Sequence, residues 1–331
     1  MSLKAIAKQL GISVTTVSRA LNGYDDVSQE TRARVEAEAQ RRGYRPNTFA
    51  RRLKMGTIDA VGLVFPVRPA PLNNNVFLEM VGEISHELAR HDIDLLLIAD
   101  DEQADKHGYM RMVQGRRVDA LIVAHTLDDD PRLAQLQASG FPFLALGRSR
   151  LAQPYAWFDF DNYAGTCRAT RHLIQQGHQR IALLGENNNQ AFILQRRNGY
   201  LDALREAELS DAWLRSVPAT RRGGYQATLE LLRLPEPPTV IITDCNTHGD
   251  GAAMALAHLG RLTGDNRVAL VVYDGLPQDS IIETDVAAVI QSTRQGVGRQ
   301  IADMVRRLIA GEDLATLQVL WQPEFFPGET A

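Results

Sequence analysis

The spacing of apolar positions divides the chain near residue 56. Before that point apolar residues recur three or four apart, in three short runs. Leu3, Ile6, Ala7 and Leu10 share one helical face, Ser2 stands at the capping position, and Gly11 readily takes a left-handed stop. Ser13 caps a second run, Val14 to about Leu21, with Val17, Ala20 and Leu21 facing inward. Ser28 opens a third, with Val35 and Ala39 on its buried side and arginines on its wet side. Only Gly11-Ile12-Ser13 parts the first two helices, and this predicts a helix-turn-helix.

From Ile58 short apolar blocks alternate with amphipathic stretches. Strands are expected at Ile58–Phe65, Ile93–Ala99, Asp119–Ala124, Phe143–Leu146, Arg180–Leu184, Thr239–Thr243, Arg267–Tyr273 and Ala287–Ile290. Helices are expected at Phe77–His91, Tyr163–Gln176, Ala191–Glu208, Gly223–Leu232, Gly249–Gly260 and Arg294–Ala310. Apolar strands alternating with helices predict parallel sheets covered on both faces. The series suffices for two sheets, roughly 58–159 and 160–289, with the tail returning to both. Ligands of such sheets bind beyond the strand C-termini, so the default site is a cleft between two lobes.

Charge sharpens the division. Residues 1–56 hold 11 Lys and Arg against five acids, a net +6, while the rest carries 25 bases against 35 acids, a net −10. A basic head on an acidic body suits a polyanion-binding module joined to a larger core. No stretch approaches the roughly 18 apolar residues of a membrane helix, and the lysine-interrupted N-terminus does not read as a signal peptide, so a cytoplasmic protein is expected. Two cysteines, Cys167 and Cys245, are too few for a disulfide framework or a cysteine-based zinc site and read as free thiols.

The exposed side of the second helix carries short hydrogen-bonding residues. Thr15, Thr16 and Ser18 can reach base edges or phosphates, Arg19 can fork onto a guanine, and Asn22 stands at the helix end. For Ser13 and Thr16 the competing reading is capping and solvation. The run Ala5-Ile6-Ala7-Lys8-Gln9-Leu10-Gly11-Ile12-Ser13-Val14-Thr15-Thr16-Val17-Ser18-Arg19-Ala20-Leu21-Asn22-Gly23 resembles the head of lactose-repressor (LacI/GalR) family regulators. Val27-Ser28-Gln29-Glu30-Thr31-Arg32 and Gly43-Tyr44-Arg45-Pro46-Asn47 continue the match.

That resemblance implies three parts: a DNA-binding head at 1–46, a hinge at 47–57, and an effector-binding and dimerisation core at 58–331. Lobe 1 of the core is expected at about 58–159 and 291–320, and lobe 2 at about 160–290 and 321–331. It further implies a homodimer on double-stranded operator DNA, with the hinge of each chain in the minor groove. Leu53 would wedge between bases with Arg51, Arg52 and Lys54 near phosphate, Asn47 would cap the short hinge helix, and Asn47 and Ala50 are counted among the DNA-binding residues. A flexible basic linker is the plainer alternative. The chain stops without leucine heptads, so no tail-mediated tetramer is expected.

The likeness extends through Val61-Gly62-Leu63-Val64, Asp161-Asn162-Tyr163-Ala164-Gly165, Gly177-His178-Gln179-Arg180-Ile181-Ala182 and Tyr273-Asp274, and implies a periplasmic-binding-protein-like core. By position it assigns effector contacts to Arg196, Asp274, Phe77, Arg148, Asn246 and Gln291, the last placed in the third crossover between lobes. An arginine fork and a carboxylate suit vicinal hydroxyls, so a small sugar is the expected effector. A nucleobase or phosphosugar effector, or a sugar-binding protein without a regulatory role, remain alternatives. The chain departs from the family pattern at Asn246-Thr247, around Ala219, and after Asn74.

Other chemistry is not expected. Gly249-Asp250-Gly251 opens a helix, but Met254 stands where a dinucleotide loop needs its third glycine. The histidines show no metal-ligand spacing, and His172 and His178 read as surface and turn residues. Asp100-Asp101 and Asp128-Asp129-Asp130 read as loop charges and caps. Neither catalysis nor a cofactor or metal is anticipated.

Overall fold

A computed structural model describes residues 2–21, 24, 26–44, 57–67, 75–101, 107–186, 188–291 and 296–331. The chain divides into two compact units, Met1–Asp59 and Ala60–Ala331. The proposed hinge and its residues Asn47, Ala50, Arg51, Leu53 and Lys54 lie outside the described residues, as does Asn22.

The first unit contains α1 (Leu3–Leu10), α2 (Val14–Leu21) and α3 (Gln29–Arg41). Ile6, Ala7, Val17, Ala20, Val27, Val35 and Ala39 form its core, matching the helical periodicity. Gly11 ends α1 at φ +67°. The Ser13 hydroxyl accepts the Thr16 N–H at 2.9 Å, and that of Ser28 accepts the Thr31 N–H at 3.3 Å, so both serines cap. Ser2 was expected to cap as well, but its side chain makes no capping bond.

The second unit runs β1 (Ala60–Pro66), α4 (Asn75–Ala89), β2 (Asp94–Asp100), α5 (Gly108–Gln114), β3 (Ala120–Val123), α6 (Pro131–Ser139), β4 (Phe143–Leu146) and β5 (Ala156–Phe160). It continues through α7 (Asn162–Gln175), β6 (Ile181–Gly185), α8 (Ala191–Glu206), β7 (Leu214–Ser216), α9 (Arg221–Leu232), β8 (Val240–Thr243), α10 (Asn246–His258), β9 (Ala269–Tyr273) and β10 (Ala287–Ile290). It ends with α11 (Val297–Ile309), β11 (Gln318–Trp321) and β12 (Glu324–Phe326). One sheet has the order β11-β5-β4-β3-β1-β2, with every pairing parallel. The other has the order β12-β10-β9-β8-β6-β7, parallel except where β12 runs against β10.

The central strands are buried along their whole length, which is why they read as apolar blocks rather than alternating ones. The chain passes between the sheets after β5, after β10 and between β11 and β12. Gln291 therefore lies in the second crossover; β11 returns to the first sheet, making the passage to β12 the third.

Close helix packing depends on glycine. A Cβ on Gly199 would stand 2.3 Å from the Tyr163 carbonyl oxygen, and one on Gly251 would stand 2.0 Å from that of Arg221. The expectation that Gly249 and Gly251 mark a helix start is thereby corrected: α10 begins at Asn246, and these glycines lie inside it, facing Val272 and α9. Asp100 is not a loop charge either, being 2% exposed at the end of β2 and within 3.1 Å of His107. Asp130 does cap α6 and also pairs with the buried Arg132.

Candidate functional site

The C-terminal edges of the two sheets face each other and touch directly. The Ala191 N–H donates to the Thr126 carbonyl at 2.8 Å and the Asp128 N–H to that of Asn189 at 3.2 Å, so short segments pair across the lobes. The His125 ring lies edge-on to Phe77 of α4 and to Phe192 of α8, with centroids 5.1 and 5.9 Å away. Burial lowers its pKa to about 4, against an opposing hydrogen bond to Gln190. On the same boundary Arg148 donates to Asp159 at 2.9 Å and to Gln195 at 3.3 Å.

Within the second lobe, Arg196 is 4% exposed and held from several sides. Its Nε donates to Asn162 Oδ1 at 2.9 Å, one terminal nitrogen donates to the Asp244 carbonyl, and the guanidinium lies between the rings of Tyr273, at 3.5 Å, and Phe192, at 4.9 Å. The other terminal nitrogen reaches Asp274 Oδ2 only at 3.8 Å. Gln291 Nε2 donates to the same Asn162 oxygen at 2.9 Å. Asn162 thus joins α7, α8 and the second crossover.

Three buried oxygens remain without hydrogen-bond partners here: Asn246 Oδ1, Asp274 Oδ1 and the Tyr273 hydroxyl. Buried polar atoms are ordinarily satisfied, and leaving one unpaired costs about 1–3 kcal/mol. Asp274 also takes a left-handed backbone, φ +67°, immediately after β9. Burial pushes its carboxyl up from the ordinary value and the Arg196 charge opposes the shift. Strain, desolvation and a missing partner converge at one strand end, a combination that suits an incoming donor such as a hydroxyl.

Of the residues expected from the sequence, Asp274 follows β9, Asn246 opens α10, Arg196 lies within α8, and Gln291 lies in the second crossover, joined to Arg196 through Asn162. Phe77 and Arg148 stand across the lobe boundary, against His125 and Gln195. Asn246 was open to a capping role, but the cap of α10 is Cys245 and Asn246 is the first helical residue. Missed were Asn162, His125, Phe192 and Gln195; only Asn162 carried a signal, standing in the Asp161-Asn162 match. A surface cavity of about 510 Å³, lined by Tyr163, Cys167, Arg168, Arg171, His172 and Phe325 among others, shares no residue with this cleft set.

In the head, Val17 and Ala20 turn inward and leave Ser13 and Thr15 exposed, with Thr16, Ser18 and Arg19 part-exposed. Ser13 and Thr16 are engaged by capping, their hydroxyls 2.8 Å apart. Arg19 Nε donates to Asp26 at 3.0 Å and its guanidinium lies over Tyr24, so a base contact by Arg19 requires exchange of that carboxylate.

A helix-turn-helix unit joined to a two-sheet core with a polar cleft at the strand ends defines a ligand-responsive DNA-binding protein. Residues 2–47 match the model of bacterial regulatory proteins of the lacI family, and residues 58–330 that of periplasmic binding proteins and the sugar binding domain of the LacI family. The chain belongs to the LacI family and is a DNA-binding transcriptional regulator.

It is 64% identical over 330 residues to the HTH-type transcriptional regulator RafR of Escherichia coli, covering 100% of this chain and 98% of that protein. A crystal structure of a transcriptional regulator from Yersinia pestis biovar Microtus str. 91001 superposes with a TM-score of 0.79 at 49% identity, covering 82% of this chain and 98% of that one. The complex of the regulator CelR with cellobiose superposes with a TM-score of 0.71 at 26% identity over 100% of both chains. No helix among the described residues is long and apolar enough to cross a membrane.

Proposed function

We propose that this chain is a cytoplasmic, homodimeric repressor whose operator affinity falls when a small sugar enters the cleft. The observation that carries the reading is a pair of unpartnered buried oxygens, Asn246 Oδ1 and Asp274 Oδ1, beside a guanidinium clamped between two rings. Sugar hydroxyls supply the donors those oxygens lack, and an arginine fork accommodates hydroxyl oxygens in return. Phe77, Arg148 and Gln291 complete the contacts from the opposite lobe and the crossover. The cellobiose complex of CelR supports a sugar as the class.

Residues 1–46 act as the operator-reading head, with Ser13, Thr15, Thr16, Ser18, Arg19 and Asn22 toward the major groove, and residues 47–57 act as the hinge in the minor groove. In this reading the chain binds its sugar without transforming it.

Selection of bound duplexes from a random pool tests the reading. The intact chain should enrich a roughly palindromic site, and a chain lacking residues 1–56 should enrich none. Equal enrichment by both would remove the head from DNA recognition.

A further inference from the structure

A second cluster brackets Asn246, and its side chains take no part in the sugar reading. Asp244, Cys245 and His248 follow β8 and open α10, and one ligating atom from each lies within 4.8 Å of the others. His248 is 0% and Asp244 4% exposed, while Cys245 is part-exposed. We infer that these three side chains form a binding site for a thiophilic divalent cation of the Zn²⁺ class.

The donor set is one thiol, one imidazole and one carboxylate, the mixed sulfur, nitrogen and oxygen set that zinc accepts with its fourth position left open. The second shell is already in place. His248 Nε2 lies 2.7 Å from the Pro218 carbonyl, and a ring nitrogen donating to a carbonyl fixes the imidazole with Nδ1 turned toward the cluster. Asp244 is oriented in the same way, its Oδ2 accepting the Glu186 N–H at 2.8 Å.

Nδ1 and Asp244 Oδ1 share a proton across 2.8 Å. A cation replaces that proton. Tetrahedral zinc sets neighbouring ligand atoms roughly 3.3–3.8 Å apart, so the pair opens by about half an ångström or somewhat more. A thiol and an imidazole ligate as thiolate and neutral ring, so binding of the ion is coupled to release of any protons they hold. The N-terminus of α10 opposes a cation with roughly half an elementary charge, which the carboxylate and thiolate together outweigh.

The site is tied to the effector cleft through the backbone. The Asp244 carbonyl accepts from Arg196, and Asn246 follows Cys245 directly. An ion that draws Asp244 and Cys245 together moves the turn that holds Arg196.

Titration of the reduced full-length protein with Co²⁺ tests the inference without any sugar or DNA. We expect a thiolate-to-cobalt charge-transfer band that saturates at one ion per chain and is displaced by Zn²⁺. It should persist in Cys167→Ser and vanish in Cys245→Ser, a substitution that suits a helix cap. Iodoacetamide labelling mapped by mass spectrometry gives the same answer without a variant: Zn²⁺ should shield Cys245. No cobalt band in the native chain, a band that survives in Cys245→Ser or is lost in Cys167→Ser, or equal labelling of Cys245 with and without Zn²⁺ would each overturn the site.

Discussion

Asp274 is held in a left-handed backbone with one carboxylate oxygen unpaired, a combination that costs stability unless a ligand uses it. Replacement by Asn keeps the shape and removes the charge that strengthens hydrogen bonds from sugar hydroxyls. Asp274→Asn should weaken sugar binding by about 1.5–3 kcal/mol, or roughly ten- to a hundredfold, with operator affinity nearly unchanged. Calorimetry and a DNA-binding curve check the two halves; unchanged sugar affinity would take Asp274 out of the site.

His125 gives a pH signature at the same scale. Its folded pKa of about 4 lies below the ordinary 6.5, so the unfolded chain takes up the proton first as pH falls. Its contribution to stability is complete above pH 6.5 and is lost as pH falls from 6.5 to 4. Melting temperatures of the native chain should therefore drop relative to His125→Phe across that window, and parallel curves would contradict the assignment.

Among the elements, α2 and the α9–α10 pair make separate predictions. Arg19→Ala should cost about 1–3 kcal/mol of discrimination between operator and altered sites, read by competition binding. Asp26 now holds that guanidinium, so Asp26→Ala should leave Arg19 free and raise affinity for DNA generally. Gly251→Ala places a Cβ 2.0 Å from the Arg221 carbonyl oxygen, and backbone cannot yield as a side chain does. A loss of about 3 kcal/mol in core stability is expected, visible in a denaturant midpoint.

The elements also show what the sequence makes legible. Buried strands such as β4 and β10 read to the residue, because an apolar block between turns has few alternative readings. Strand β5 escaped because Asp159 interrupts its apolar run; β7, β11 and β12 are short, with exposed and part-buried positions mixed. Helices α5 and α6 are brief, and their apolar faces are incomplete without the sheet they cover.

At the scale of the molecule, the site divides along the same line. Arg196, Asp274 and Gln291 follow motif or strand signals, so each could be proposed from position, although the missed strand β11 put Gln291 in the wrong crossover. His125, Phe192 and Gln195 become neighbours only when two lobes distant in sequence close on each other, which no local pattern reports. The Asp244-Cys245-His248 cluster went unread for a different reason: a single cysteine with one histidine three residues on lacks the paired spacing by which zinc sites are recognised.

Cleft and operator are coupled in this account because the sugar bridges both lobes, and lobe geometry sets how two heads meet one duplex. Such coupling is reciprocal and typically amounts to about 1–3 kcal/mol. The direct measurement is operator affinity, followed by fluorescence anisotropy on the selected duplex while a panel of mono- and oligosaccharides is added to the native chain and to Asp274→Ala. At least one sugar should lower the affinity of the native chain by about tenfold, and the variant should not respond. No response to any sugar, or the same response in the variant, would contradict it.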